Sequence, residues 1–261
     1  MLRATDDASG LQIATRLEAL ARSRRVAMQN AQNGISLLQT AEGALGEVHS
    51  VLLRMRDLAI EAATDSTSTD DRAALQAEYD ALGGELRHLV MRTTYGGTGL
   101  FSDGVQLSAG GLLSGGVLRL QTGATPAETL VVDVGADMAR LRGGLTAVSE
   151  DKYANPIAGP GSELTAGAQA TGYFVWALDG AIQRIGGFRA ALGAAAQRLQ
   201  HVRANLDQMQ QQAVQARGRI VDLDFAEATV RQTAEQLRVQ AGAAVLRQSR
   251  QAQALVVTLL R

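Results

Sequence analysis

The chain has 261 residues, of which 46% are hydrophobic, 20% are charged and only 3% are aromatic. Its 25 basic and 26 acidic residues leave a net charge of −1, so no excess field of either sign would attract nucleic acid or an anionic membrane. No apolar run approaches the roughly 20 residues of a membrane span, and the N-terminus lacks the apolar core of a cleavable secretory signal. The sequence therefore predicts neither nucleic-acid nor membrane partners, and composition alone favours a cytoplasmic protein.

Residues that could carry chemistry are sparse and scattered. There is no cysteine, which excludes disulfides and thiolate sites together. His49, His88 and His201 form no ligand-spaced pair. The glycine-rich segment 110–116 lacks the following Lys-Ser or Lys-Thr of a phosphate loop, and neither G-x-S-x-G nor H-E-x-x-H occurs. We expect no metal, no cofactor and no enzymatic activity.

The first long element is predicted by apolar periodicity. Steps of alternately three and four residues meet an apolar residue each time at Leu38, Ala41, Leu45, Val48, Leu52, Met55, Ala59 and Ala62. This 3.5-residue repeat indicates a long helix that winds around another one. At its start, Asp6 and Asp7 complement the positive end of a helix or form a pair of carboxylates for acid-base chemistry or a cation, and the first interpretation is favoured.

A shorter helix follows a polar loop. Ser68 and Asp71, three residues apart, fit a capping box at its beginning. The predicted helix runs from Asp70 to Arg92, with an apolar series at Leu75, Tyr79, Leu82, Leu86 and Leu89. We expect it to be the third member of a helical bundle.

Pairs of adjacent glycines become frequent after the second predicted helix. Runs rich in β-branched or alternating residues at 117–121 and 130–134 predict the strands of a small hairpin. A turn-rich stretch covers residues 149–171.

A second and longer stripe returns after this middle region. It has no polar interruption through Leu178, Ala181, Ile185, Phe188, Leu192, Ala195, Leu199, Val202, Leu206, Met209, Ala213, Ala216, Ile220 and Leu223. At a rise of ~1.5 Å per residue the stripe spans about 70 Å. Because neither arm can bury such a stripe alone, we expect residues 5–62 to pair with residues 172–223.

The C-terminal segment has apolar surface without a partner in the sequence. Apolar positions continue at Val230, Ala234, Leu237, Ala241 and Ala244, and the chain ends with an apolar segment that includes Val256, Val257, Leu259 and Leu260. Three interpretations of this end are open from the sequence: a frayed tail, a buried part of the core, or a seam between subunits. The seam is favoured, because an unmatched apolar stripe indicates assembly with other molecules.

Residues 39–45 are Gln-Thr-Ala-Glu-Gly-Ala-Leu, and residues 219–226 are Arg-Ile-Val-Asp-Leu-Asp-Phe-Ala. The first segment matches a motif of bacterial flagellin as it stands, and the second resembles its S-R-I-x-D-x-D-x-A. Together with further segments they resemble, in order and spacing, the two terminal regions of that family. Other similar segments are residues 4–14, 30–36, 52–59, 97–101, 177–182, 189–194, 240–242 and the final Leu-Leu-Arg. The resemblance covers roughly residues 3–101 and 171–261, and it is highly specific.

The resemblance implies the flagellin rod, a mainly α fold. A long antiparallel helical bundle or coiled coil, called D1, would have a small β-hairpin insert and a protruding C-terminal helix, called D0. Residues 1–101 would form the N-terminal D1 helices, 102–170 the variable hairpin and loop region, 171–217 the C-terminal D1 helix and 218–261 the C-terminal D0 helix. Flagellins begin with a segment that completes D0, and this chain is expected to lack it.

The resemblance also implies a function and partners. The chain would be a structural subunit of the flagellar filament, assembling with other flagellin copies for swimming motility. It would leave the cell through the flagellar type III system, which replaces the cytoplasmic expectation, with an export chaperone and the filament cap as further partners.

Two sets of site residues follow from matching positions. In flagellins one helical face packs against adjacent protofilaments and is read in some members by Toll-like receptor 5. Its counterparts here are Arg54, Leu58 and Glu78, although spacing alone also fits an ordinary solvated face. The C-terminal segment, which related flagellins present to the chaperone and to NAIP receptors, corresponds to Leu237, Val256, Val257, Leu259 and Leu260.

Two alternatives remain from the sequence. A hook-filament junction protein would share the terminal helices but seal an interface rather than propagate it. The segment 39–45 and the Leu-Leu-Arg ending favour flagellin. An enzyme of unknown type has little support, since no motif places catalytic groups together.

Overall fold

The computed structural model describes residues 8–104, 110–149, 161–222 and 225–259. Within these ranges the fold is mainly α, as the sequence predicts. The helices are α1 Ala8–Ala62, α2 Thr69–Arg92, α3 Gly135–Val148, α4 Ala168–Val221 and α5 Phe225–Leu259. The strands are β1 Thr94–Tyr95, β2 Thr98–Gly99, β3 Val117–Gln121 and β4 Thr129–Asp133.

The chain divides into two compact units. The larger comprises residues 20–211, and the smaller comprises residues 1–19 with residues 212–261. The assignment of sequence segments to D1 and D0 stays a prediction. Asp6, Asp7 and Leu223 lie outside the described residues.

In the larger unit, α1 and α4 pack antiparallel. Four polar contacts join the two helices, and residues further along α1, from 24 to 56, contact residues progressively earlier in α4, from 209 to 179. The contacts are Arg24 Nη1 to the Met209 carbonyl at 2.6 Å, Arg203 to Gln32, Arg189 Nη2 to Glu42 Oε1 at 2.7 Å, and Arg56 Nε to Asp179 Oδ1 at 2.6 Å. These polar links flank the apolar seam and fix its register.

The two apolar stripes form the core of this unit. Every member of the α1 stripe from Leu38 to Ala62 is at most 1% exposed, and so is every member of the α4 stripe from Leu178 to Leu199. Beyond Leu199 the burial decreases, and Met209 is 38% exposed. The predicted pairing of the two long arms is therefore confirmed for the larger unit. Its most buried parts are residues 38–62 of α1 and residues 178–199 of α4.

Helix α2 is held by the cap that its sequence predicts. The Asp71 amide donates to Ser68 Oγ at 3.2 Å, and the Ser68 amide donates to Asp71 Oδ2 at 3.3 Å. This reciprocal arrangement satisfies donors that the first turn of a helix leaves free. Tyr79, Leu86 and Val90 then bury one face of α2 in the shared core, which makes it the third helix of the bundle.

The hairpin of β3 and β4 is antiparallel, with Val117 opposite Asp133 and Gln121 opposite Thr129. The predicted second strand is displaced by one residue, since it ends at Asp133 rather than Val134. The hairpin approaches α1 closely at Gly34, where an added Cβ would lie 2.6 Å from Leu120 Cδ1. A glycine at this position therefore lets the sheet lie on the helix.

Within residues 102–170, which the sequence predicts as a hairpin and loop region, the structure also contains a helix. A helix of 14 residues, α3, follows the hairpin directly. Its buried apolar side chains recur at helical spacing at Met138, Leu141, Leu145 and Val148. They join the core of the larger unit, so this part of the chain contributes to the bundle.

In the smaller unit, the start of α1 lies beside the end of α4. Arg217 Nη2 is 3.3 Å from Glu18 Oε2, and Ala14 and Ala213 are buried. Helix α5 belongs to the same unit. None of the described helices combines the length and hydropathy that a membrane crossing needs.

Candidate assembly surfaces

Helix α5 exposes large apolar side chains along its length. Their exposed fractions lie between 60% and 72% at Val230, Leu237, Val239, Val245 and Leu246. Positions seven apart share a helix face, whereas positions two apart are about 200° apart around the axis. Val230 and Leu237 therefore form one apolar face, and Val239 and Leu246 form another on the opposite side. A helix that is apolar on opposite sides is suited to burial between neighbours.

The end of α5 carries the remaining predicted assembly residues. Val256, Val257 and Leu259 lie within the helix, and Leu260 lies outside the described residues. Their role in assembly or chaperone binding stays a prediction. Of this predicted set, Leu237 is the residue whose exposure the structure gives, at 60%.

Arg54 and Glu78 are brought together on the surface of the larger unit. Arg54 Nη2 lies 2.6 Å from Glu78 Oε1, and the two side chains are 55% and 45% exposed. The pair joins α1 to α2. An exposed ion pair of this kind stabilises by only about 0.2–1 kcal/mol, so both charged groups can engage an outside partner at small cost to the fold.

Leu58 does not share that exposed surface. The expectation that it faces outward beside Arg54 is wrong, because its side chain is only 1% exposed and belongs to the core cluster. Leu58 flanks the α1 stripe next to Ala59, on the side where Arg54 reaches α2. Because Arg54, one turn before Leu58, reaches Glu78 of α2, we infer that the third helix of the bundle covers this position.

The outward face of α1 carries apolar and acidic groups instead. Leu53 is 42% exposed and Ile60 is 44% exposed, and Asp57 and Glu61 are exposed near them. Leu53, Asp57 and Ile60 follow helical spacing outside the buried stripe. We call Leu53, Asp57, Ile60 and Glu61 the α1 face.

A buried polar cluster anchors the chain that leads into α4. Gln76 Nε2 donates to Asp80 Oδ1 and to Glu163 Oε2, each at 2.8 Å, and Gln76 Oε1 accepts from the Leu164 amide at 2.6 Å. Nearby, the Tyr79 hydroxyl donates to the Val148 carbonyl at 2.5 Å. Burial, and then the charges of Glu163 and Asp80, raise the pKa of Tyr79 well above its usual value. The Gln76 amide uses both its donor and its acceptor here, as a structural anchor does.

Potential metal ligands do not cluster in the described ranges. No group of three or more His, Asp or Glu side chains has a metal-binding arrangement there. His49 is half-buried, and His88 and His201 are exposed. The exposed apolar and charged surfaces of α1, α4 and α5 are the candidate functional features of the described chain.

Two family models match the chain. The bacterial flagellin N-terminal helical region matches residues 1–106, and the bacterial flagellin C-terminal helical region matches residues 175–260. Together they include α1, α2 and most of α4 and α5. The span between them holds the hairpin and α3.

Individual relatives agree with these models. A flagellin of Halalkalibacterium halodurans is 33% identical over 99% of this chain and 86% of its own length. Flagellin B of Vibrio cholerae is 36% identical over 62% of this chain. The chain spans only 41% of the length of that Vibrio relative.

Solved structures share the fold. A crystal structure of Bacillus cereus flagellin has a TM-score of 0.53 and 26% identity, covering 68% of this chain and 88% of that one. The structure of a protein from Vibrio parahaemolyticus named as a putative flagellar hook-associated protein has a TM-score of 0.60, covering 83% of this chain and 99% of that one. The latter is 15% identical, so it indicates a shared fold alone. On the matched helical regions and the near full-length relative, the chain belongs to the bacterial flagellin family.

Proposed function

We propose that this chain is a structural subunit of the bacterial flagellar filament, located outside the cell, that assembles with other copies for swimming motility. The apolar surface of α5 is the observation that carries the proposal. Five large apolar side chains are at least 60% exposed on one helix. Burying a Val or Leu side chain stabilises by about 1.5–3 kcal/mol, so contact with neighbouring copies offers a substantial driving force.

The finer partners rest on the resemblance to flagellins. We propose that the C-terminal segment that includes Leu237, Val256, Val257, Leu259 and Leu260 is held by an export chaperone before secretion through the flagellar type III system. NAIP receptors would sense the same segment. The filament cap would then guide incorporation of the subunit.

Arg54 and Glu78 belong to a surface proposed to contact adjacent protofilaments. Their exposure supports this role, and Toll-like receptor 5 is the proposed receptor for the same surface. Leu58 is omitted from it because its side chain is buried in the single subunit. A role as a hook-filament junction protein has weaker support, because the similarity to a hook-associated structure extends to the fold alone.

Seeded polymerisation followed by sedimentation tests the assembly proposal. Leu237→Asp would place a carboxylate on an apolar face of α5, whereas Gln236→Asp adds the same charge at a neighbouring exposed residue. Loss of Leu burial together with desolvation of the charge costs at least about 3 kcal/mol. Because 1.4 kcal/mol corresponds to a tenfold change, the critical concentration of Leu237→Asp should rise by at least about 100-fold.

The control separates this effect from helix destabilisation. Gln236→Asp should assemble within a few-fold of the unaltered chain, since its side chain lies between the two apolar faces. Normal sedimentation of Leu237→Asp would contradict the proposal that α5 drives assembly.

A further inference from the structure

A patch of exposed aromatic side chains lies near the beginning of α4. Tyr173 is 58% exposed and Trp176, the single tryptophan of the chain, is 69% exposed. Their ring centroids are 6.0 Å apart with the planes tilted by 39°. Phe174 packs edge-on against Tyr173, with centroids 5.6 Å apart. Aromatic residues make up only 3% of this sequence, so their concentration on one exposed patch calls for a physical reason.

The patch borders a groove between α3 and α4. The groove has a volume of about 520 Å³ and is lined by Arg140, Gly143, Tyr173, Trp176, Gly180 and Arg184. Gly143 and Gly180 leave part of its wall without side chains. We call this feature the aromatic groove.

The side chains that line the aromatic groove include Arg140 and Arg184 and no carboxylate. Asp137 and Asp179 lie on the adjoining side of Trp176 and Arg184, and they are already paired with Arg140 and Arg56. Arg184 reaches from α4 towards α3, since a Cβ added to Gly144 would lie 3.6 Å from Arg184 Nη1. Among the described residues no carboxylate lies within 4.0 Å of the Arg184 guanidinium, whereas Arg140 is paired with Asp137 at 3.1 Å. The groove therefore combines exposed Trp and Tyr rings with an arginine available for an acidic partner, and these residue types dominate the energy of protein interfaces.

The same chain carries a surface of complementary character. The α1 face presents Leu53 and Ile60 with the acidic groups of Asp57 and Glu61. Two copies that met groove to groove would place arginine against arginine. A groove that receives the α1 face instead pairs opposite charges and covers aliphatic side chains with aromatic rings.

We propose that the aromatic groove of one copy receives the α1 face of a second copy, with Arg184 opposite Asp57. This inference rests on the proposed filament function and specifies one of its contacts. The two surfaces share no residue, so a copy that uses one still presents the other. Such a heterologous contact leaves a free surface at each end, and it generates an open helical polymer when the rotation between copies does not close a ring.

Trp176 provides a built-in measurement of this contact. Filaments grown from the full chain are compared with unpolymerised chain by tryptophan emission and acrylamide quenching. On assembly the emission should shift to shorter wavelength and the quenching constant should fall several-fold. If filaments form with unchanged emission and quenching, the groove stays open to solvent and this inference is wrong while the proposed function survives.

A charge exchange tests the pairing itself. Arg184→Asp and Asp57→Arg should each raise the critical concentration about tenfold or more, and the double variant should restore assembly to within about threefold of the unaltered chain. Arg198→Asp, the same change at an exposed position of α4 outside the groove, should assemble normally. A double variant no better than the single ones would overturn the inference. Absence of filaments from the unaltered chain would overturn the proposed function, and this inference with it.

Discussion

The Tyr79 hydroxyl offers a substitution of one atom whose cost can be worked from the structure. Tyr79 and Val148 are fully buried, and the hydroxyl donates to the Val148 carbonyl at 2.5 Å. Tyr79→Phe keeps the ring and removes the donor, which leaves this carbonyl at the end of α3 without that bond. An unsatisfied buried acceptor costs about 1–3 kcal/mol. For a chain of this size, each kcal/mol lowers Tm by about 2–4 °C, so we expect a decrease of about 2–12 °C.

Tyr95 provides the matched control. Its hydroxyl donates to the Asn33 carbonyl at 3.1 Å at an exposed site. Water can replace this donor, so Tyr95→Phe should change the free energy of unfolding by no more than about 0.5 kcal/mol. Urea and thermal unfolding of the unpolymerised chain, followed by circular dichroism, measure both variants. Equal effects of the two substitutions would refute the assignment of Tyr79 as a buried anchor.

The same residue makes stability depend on alkaline pH. Burial raises the pKa of Tyr79 in the folded chain above the ordinary value of 10.0, so the folded state holds this proton more tightly than the unfolded state does. The resulting stability is present below pH ~10 and is lost as the pH rises further. Between pH 10 and pH 11 the unaltered chain should lose up to about 1.4 kcal/mol more unfolding free energy than Tyr79→Phe. Parallel urea titrations at these two pH values measure the difference.

Four further substitutions test the packing. Leu192→Ala should cost about 2.7–5 kcal/mol of unfolding free energy because Leu192 is fully buried, and Leu53→Ala, at a position 42% exposed, should cost under about 1 kcal/mol in the same urea titration. Ser68→Ala should cost about 1 kcal/mol through loss of the capping box; no loss would argue against the cap. Leu58→Ala should lower the unfolding free energy of the unpolymerised chain by about 2–5 kcal/mol. A loss as small as that expected for Leu53→Ala would contradict the burial of Leu58.

Periodicity predicted the parts of the fold that depend on neighbours in sequence. The stripes through Leu38–Ala62 and Leu178–Leu199 are buried because their spacing fixes which side of each helix is apolar. The cap at Ser68 was equally visible, since both of its partners lie within one turn. In each case the residues of a single helix and its cap were sufficient for the prediction.

Features that depend on distant residues were missed. Leu58 is outside a two-helix seam by spacing, and its burial in the core cluster becomes apparent only in the structure. The hydrogen bond between Gln76 and Glu163 joins residues 87 positions apart, and no local sequence pattern predicts it. Helix α3 had a usable signal in the spacing of Met138, Leu141 and Leu145, but the glycines around it favoured an interpretation as hairpin and loop.

The proposed assembly surfaces were predicted only in part. An unmatched apolar C-terminal helix was visible from the sequence, including Leu237. Its second apolar face, through Val239 and Leu246, lies off the heptad positions and becomes apparent only when exposure is known. The pairing of Tyr173 with Trp176 was likewise missed, because isolated aromatics in a sequence do not reveal whether they are buried.

Helical reconstruction by electron cryomicroscopy of filaments grown from this chain tests the central claim most directly. We predict that neighbouring copies enclose α5, covering Leu237 on one side and Val239 with Leu246 on the other. Filaments in which these side chains remain in contact with solvent, or a chain that yields no filaments when seeded, would contradict it.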